Sequence, residues 1–535
     1  MNQIAATPPR PGRLVPPVPP APAQELSVPA FLRAIRTNAL TMWPEAAYTQ
    51  DLVVRHFLGR RNVLVNTPEA IHHVLVDNPG NYRRSPASIR ILRPITGNGL
   101  LLSQGDDWRL QRRTIAPALA PRVMPMLARH IVAVTRERLD LLAAHAGQGS
   151  MDRWMAPGTA PGTTAPEMTA PEMTAPGTAP GTAPGTAQAT APRAAPQAGP
   201  GAGPGATGRS SDRSIASGSI NPPVDLLAAL QGLTLEIAGR SMFSLEMAAF
   251  GAPLRLLLSE FGLTLSRPVL LDVLLPPSVP TPRDLRRRRF QARWMRLIEQ
   301  IMRDRLRAPQ PEAPRDLFDL LRAARDPETG AGFSPEQLRD QLATLLLAGH
   351  ETTAVTLFWT LTLLAQDPAE QARVAAETRA VTIGPEGATD VLPRLVRTRA
   401  VVSEAMRLYP PAFTMVREAI GPDRLGDFDL PKRAVVMIAP WVLHRHRKLW
   451  RDPDAFDPDR FMPDAPPVSR FAYLPFGAGP RICVGAQFAL TEAVLVLAML
   501  LQRFEFALAD ARPVLPVGIV TAQPDHPAMF RVRER

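Results

Sequence analysis

Cysteine is almost missing from this sequence: Cys483 is the only one in 535 residues. A single thiol excludes an intrachain disulfide, an iron–sulfur cluster and a cysteine-rich zinc site, so any chemistry on sulfur must use that one position. Lysine is nearly absent as well. Lys432 and Lys448 are the only two, although the formal charge is +12, so the cations are overwhelmingly arginines. No basic run is interleaved with aromatics and no DNA-reading motif is present; the charge therefore favours an acidic protein partner and no nucleic acid. No stretch offers the eighteen or so uninterrupted apolar residues of a membrane span, and the Pro- and Ala-rich first 24 residues lack an apolar leader core. The expectation is a soluble, cytoplasmic chain with no transmembrane anchor. No Gly-rich dinucleotide fingerprint follows a predicted strand, so redox electrons would have to come from another protein.

What is present suits one large fold. Hydrophobic residues make up 45% of the chain, enough for a substantial core. Four stretches differ in composition. Residues 1–24 are Pro-rich and expected to be disordered; 25–155 form the first part of the domain; 156–222 are an Ala/Pro/Gly/Thr insert; 223–535 complete the domain. Within the insert, residues 164–168 repeat at 169–173. Proline removes backbone donors, glycine raises the cost of ordering and little apolar surface offsets it, so the insert is expected to be disordered. Apolar spacing predicts helices over 126–146, 225–243 and 283–307, with short strands at 63–65, 414–418 and 434–438. The arginines at 286–289 read as a solvated helix face. The fold class is mainly α with a small β region.

One predicted helix is unusual. Ser334, Pro335 and Gln337 form a capping box with proline in the first turn, and Asp367, Pro368 and Glu370 start the next helix in the same way. Some thirty residues lie between, long enough for a helix of roughly 45 Å. Its middle, Ala348-Gly349-His350-Glu351-Thr352-Thr353, sets a helix-weakening glycine, a carboxylate and hydroxyls among leucines.

The segment Phe476-Gly477-Ala478-Gly479-Pro480-Arg481-Ile482-Cys483-Val484-Gly485 carries most of the chemistry. Glycines at 479 and 485 would let the backbone approach a flat macrocycle, and Arg481 can pair with an anion. A helix predicted over 486–501 puts Cys483 just before a helix N-terminus, where thiolate is favoured over thiol. A buried structural cysteine is the alternative reading of the same residue.

The pattern formed by Phe476, Gly479, Arg481, Cys483 and Gly485 resembles the haem-binding loop of the cytochrome P-450 family, in its soluble bacterial form. Further signatures follow in the family's order. Ala348-Gly349-His350-Glu351-Thr352 is similar to its oxygen-activating central helix, Glu404-Ala405-Met406-Arg407 to its Glu-x-x-Arg helix, and the segment from Phe456 through Arg460 to Phe461 to the one completing its Glu-Arg-Arg cluster. Trp108 and Arg112 resemble the early helix that holds a haem propionate, and Arg417, more weakly, another propionate ligand.

The resemblance implies a P-450 fold with a long central helix over haem b (iron protoporphyrin IX) and Cys483 as the axial iron ligand. Trp108, Arg112, Arg417, Phe476, Arg481 and Gly485 would complete the cofactor site, with Glu404, Arg407 and Arg460 as a structural cluster. Thr352 would act at the oxygen site and Glu351 would feed it protons, while His350, turned about 100° from Glu351 around the helix, is left to packing. The implied reaction inserts one oxygen atom from O2 into a small hydrophobic substrate. NAD(P)H electrons would come through a separate reductase and a ferredoxin or flavodoxin docking near Arg109 and Arg113. Residues 88–105, 345–353 and 411–416 are the expected pocket walls. A peroxide-driven haem-thiolate enzyme and a non-catalytic haem sensor are the alternatives. One departure is Arg433, where the family often has glycine, so that turn is expected to differ.

Overall fold

The computed structural model describes residues 12–57, 59–146, 222–276, 278–307, 309 and 312–535. They belong to one compact unit; the low-complexity insert lies outside the described residues up to position 221. The central helix, Pro335–Gln366, begins at the predicted box: Ser334 Oγ accepts from the Gln337 amide at 3.2 Å and Gln337 Oε1 accepts from the Ser334 amide at 2.9 Å. The next helix, Pro368–Arg379, has only half of its expected box. Asp367 accepts from the Glu370 amide, but the Glu370 side chain turns instead to Arg373 and Arg397. Two cations outcompete one backbone donor for a carboxylate.

Around the central helix pack helices Leu226–Phe243, Pro86–Thr96, Pro282–Arg307, Val396–Leu408 and Ala486–Arg503. Leu342, Leu346, Val355 and Leu357 are fully buried there, each contributing roughly 1.5–3 kcal/mol. Trp359 stacks on Tyr409 with ring centres 4.1 Å apart. Helix Ala486–Arg503 is long and apolar enough to cross a membrane by length and composition, but most of it is enclosed by the rest of the fold.

The β region is a five-stranded sheet in the order Leu52–Phe57, Arg60–Val65, Val435–Ile438, Met415–Ala419, Tyr82–Arg84. Only the contact between Arg60–Val65 and Val435–Ile438 is parallel. Near the C-terminus, Pro516–Gly518 and Ala522–Pro524 form a small hairpin.

Two expectations need correction. From residue 12 the N-terminal segment is not loose: Leu14 carbonyl accepts from the Phe456 amide, Pro22 carbonyl from the Glu45 amide, and Arg13 pairs with Asp457. Prolines fix φ in advance, so an extended segment is ordered at lower entropic cost. Of the arginines at 286–289, three are exposed as expected, but Arg287 is buried and held by Asp272 at 2.6 and 2.9 Å. Arg433 adopts a left-handed φ of 67° that glycine would take with less strain.

Candidate active site

Inside the fold lies a cavity of about 1110 Å³, lined mainly by apolar side chains from all three expected wall segments. Ligand sites usually span roughly 300–1,000 Å³, so this one has room for a cofactor together with a substrate. Cys483 lines it, its surface open to the cavity yet enclosed by the surrounding protein. The loop is folded tightly behind the sulfur: the Cys483 amide donates to the Phe476 carbonyl at 3.0 Å and the Ile482 amide to the Gly479 carbonyl at 3.1 Å. Gly479 has φ 72°, and a Cβ there would lie 1.9 Å from the Leu75 carbonyl oxygen, so its role is close packing on that strand of backbone. Gly485 faces open space, as a macrocycle requires. The thiol is pushed up from its ordinary range by burial, which outweighs the Gly485 amide and the nearby Arg112. The helix N-terminus therefore does not by itself make a thiolate; a metal ion would.

Guanidinium groups gather on another part of the wall. In the antiparallel pair of Tyr82–Arg84 with Met415–Ala419, Arg84 stands directly opposite Arg417, so both side chains leave the same face of the sheet. Both line the cavity, as does Arg481. Among the described residues neither Arg84 nor Arg417 pairs with a carboxylate: Arg417 donates to its neighbour's carbonyl, and Arg84 Nε is buried without a partner. Burial, then Arg417 and Arg481, hold the Arg84 guanidinium down to about 9, and burial, then Arg417, hold Arg481 down to about 10. Like charges opposed without a counter-ion are destabilising, so this lobe is built for a ligand bearing more than one negative charge. A porphyrin with two propionates fits it. Trp108 carries the Arg481 guanidinium 4.4 Å above its ring, and Arg481 also donates to the Ser103 carbonyl at 3.1 Å. Arg112 donates to the Ile482 carbonyl at 2.9 Å, beside Cys483.

The sequence reading missed Arg84, whose partner across the sheet is 333 positions away in sequence. Replacing it with leucine is expected to raise the melting temperature of the haem-free protein, because a buried uncompensated charge is removed. The same change should weaken haem binding about ten- to a hundredfold, the range for a charge-assisted hydrogen bond. A haem titration and a thermal melt check the two halves separately.

Residues 39–159 and 214–528 match the family model described as Cytochrome P450. The chain belongs to the cytochrome P450 family. The match breaks at residue 159 and resumes at 214, both within the low-complexity segment. This P450 is 37% identical over 284 residues to Cyclooctatin synthase of Streptomyces melanosporofaciens, and 33% identical over 301 residues to Cyclooctat-9-en-7-ol 5-monooxygenase of the same organism. Those stretches cover 53% and 55% of this chain and 62% and 65% of the relatives, less than two thirds of their length. The crystal structure of the cytochrome P450DA heme domain shares the fold, with a TM-score of 0.67 at 23% identity over 91% of this chain and 90% of that one.

The Glu-Arg-Arg cluster of this P450 is assembled as expected, though unevenly. Arg407 binds both oxygens of Glu404 at 2.7 Å and donates to the carbonyls of His444, Pro453 and Ala455, all while fully buried. Arg460 stands farther off, 3.5 Å from Glu404, and donates to the Asp452 carbonyl. His444 links the cluster to the cysteine loop. Its Nε2 accepts from the Leu474 amide at 2.8 Å, and burial beside Arg407 holds it down to about 3, so it stays a neutral acceptor.

On the central helix, Gly349, Glu351 and Thr352 line the cavity, whereas His350 is buried away from it. Thr352 Oγ1 donates back to the Ala348 carbonyl at 2.6 Å. Thr353, the second of the mid-helix hydroxyls, donates to Glu492 at 3.3 Å. Glu492 is 1% exposed, one of its oxygens has no partner among the described residues, and burial raises it from the usual 4.5 to about 8. The folded state therefore keeps a proton that the unfolded chain releases between about pH 4.5 and 8, and stability falls as pH rises through that window. Glu492→Gln, which cannot ionise, should melt several degrees above the unmodified protein at pH 8, with the gap closing toward pH 5.

The expected docking pair is not a free patch of charge. Arg113 is bound by Asp326 at 2.7 and 3.1 Å and by Glu328 at 3.1 Å, and Arg109 pairs with Asp106 at 2.5 Å. Arg113 is thus committed within the chain, and only Arg109 stays well exposed.

Proposed function

We propose that this P450 is a haem-thiolate monooxygenase that inserts one oxygen atom from O2 into an apolar organic substrate, by hydroxylation or epoxidation. The observation that carries the reading is one cavity lined at once by the chain's only thiol, by Arg84, Arg417 and Arg481, and by Glu351 and Thr352. Cys483 would hold the iron, while Arg84, Arg417 and Arg481 would hold the propionates. The bound haem supplies oxygen activation, with electron density pushed onto iron by the thiolate. The residues of the chain do the rest. The apolar walls exclude water and orient the substrate, Thr352 offers a hydroxyl beside Gly349, and Glu351 holds a proton-accepting carboxylate at the cavity edge. One relative is named a 5-monooxygenase, which supports the reaction class. Electrons from NAD(P)H through a separate reductase and a ferredoxin or flavodoxin are part of the proposal.

The test is turnover with a surrogate ferredoxin and reductase, set beside hydrogen peroxide alone, across a panel of apolar substrates. Oxygenated product that requires the electron chain is the expected result. Product with peroxide only would point to a peroxygenase, and no product under either condition would point to a ligand-binding haem protein.

A further inference from the structure

The arginines of the cavity wall stand on both faces of the five-stranded sheet. Neighbouring residues on a strand point to opposite sides, so Arg83 and Glu418, paired with each other in register, leave the face opposite to that of Arg84 and Arg417. Val435 is the register partner of both Glu418 and Asn62, and Arg60 lies two residues before Asn62, so these share the face of Glu418. Phe57, the partner of Arg60, packs on Phe31 of helix Val28–Thr37 with ring centres 5.3 Å apart. Phe31, Phe57, Arg60, Arg83, Glu418 and Val435 all line the cavity. The cavity thus has an arm on this face, part apolar and part charged, and the sheet separates it from the lobe fitted to the propionates.

Most of the charge in this arm is already matched. Glu418 is buried and accepts from Arg83 at 3.0 Å and from Arg60 at 3.2 Å. Arg433 is not matched. Exposed at the rim, it lines both the cavity and an adjoining surface hollow of about 740 Å³, whose wall it shares with Arg60, Arg61 and Lys432. Two carboxylates line the hollow as well: Asp423 is held by His73, Asn78 and Tyr82, and Asp429 forms no ion pair with Arg433. Among the described residues the Arg433 guanidinium has no carboxylate partner. Its backbone φ of 67° is one an arginine adopts only under strain. A long cationic side chain kept at a strained position, with nothing in the chain to bind, is available to a ligand.

We propose that the cavity takes an amphiphilic anion, an apolar body ending in a carboxylate, and that Arg433 receives the carboxylate at the mouth while the apolar body runs past Phe31 and Val435 into the cavity. A guanidinium fork matches a carboxylate in shape. At the exposed rim the cation stays hydrated until the ligand arrives, so no lone charge is buried beforehand. Arg60, shared with Glu418, adds to the field without being free to bind. This deepens the proposed reading of the cavity as a haem and substrate site, and rests on it.

The experiment compares dodecanoate with dodecan-1-ol, which has the same chain length and no charge, on the haem-loaded protein, by calorimetry and by the optical shift of the haem. Dodecanoate is expected to bind about fivefold more tightly than the alcohol, the upper range for an ion pair at an exposed rim, and the preference should shrink as salt is raised. Arg433→Gly and Arg433→Gln should each erase the preference, with the alcohol changed less than about twofold, and Arg433→Lys should keep most of it. The glycine variant relieves the backbone and should melt close to the unmodified protein, so a lost preference is not a folding defect. Equal affinities for acid and alcohol in the unmodified protein, or a preference that survives both neutral variants, overturn the proposal and leave the haem site standing. A protein that takes up no haem, yet binds dodecanoate calorimetrically in an Arg433-dependent way, overturns the haem reading and leaves the anion site.

Discussion

On the proposed function, Cys483→Ala is expected to abolish the red-shifted Soret band of the reduced, carbon-monoxide-bound protein and, with electrons supplied, the formation of oxygenated product. No substitute is at hand: Cys483 is the only cysteine in the chain, and the described residues hold no cluster of His, Cys, Asp or Glu able to bind a metal ion. The loss should exceed the roughly 10–100-fold that follows removal of an outer partner of a metal ligand. Haem uptake is a separate matter. The arginine lobe and the apolar walls remain in the variant, so porphyrin should still associate, more weakly and without thiolate character. Spectrum and haem content are therefore measured together. A variant that keeps the red-shifted band would end the assignment of Cys483, whatever its turnover.

Glu404→Ala is the second large effect. It strands Arg407, fully buried, with a charge and no carboxylate. Breaking a buried pair by removing one partner costs about 3–5 kcal/mol, a large share of the roughly 5–15 kcal/mol that holds a folded domain together. The damage has a direction. Arg407 anchors the His444 carbonyl and His444 in turn receives the Leu474 amide, while Tyr473 donates to the Ser403 carbonyl of the same helix. The cysteine loop thus hangs from this cluster. Loss of haem retention and a melting temperature lowered by several degrees are expected together, and Arg407→Lys should share the defect because an ammonium cannot reproduce five donors in a planar fork. A Glu404→Ala protein that melts normally and retains haem would show that the cluster braces nothing.

The relation between chain and structure differs from element to element. The capping box at Ser334 and the pairing of Glu404 with Arg407 were legible because their partners are three residues apart on a helix, where spacing fixes contact. The half-box at Asp367 was misjudged for the opposite reason: Glu370 had Arg397 within reach, 27 residues on. Arg113 was read as a docking cation because Asp326, 213 residues away, leaves no trace near it. Arg287 followed the same course.

What the sequence by itself determined is the chemistry available and the local frame that presents it. One thiol, the chain's only one, stands before a helix, and a carboxylate and a hydroxyl stand mid-helix. These follow from residue identity and short-range periodicity, both carried in the order of the letters. Only the tertiary structure decided which charges are left without counter-ions and which groups hold the others in place. Arg84 opposite Arg417, Glu492 closed in beside Thr353, and Glu351 tethered to Thr521 and Gln523 all depend on strand register or helix packing between distant segments. Contact across such separations is set by how the whole core closes, and no local pattern encodes it.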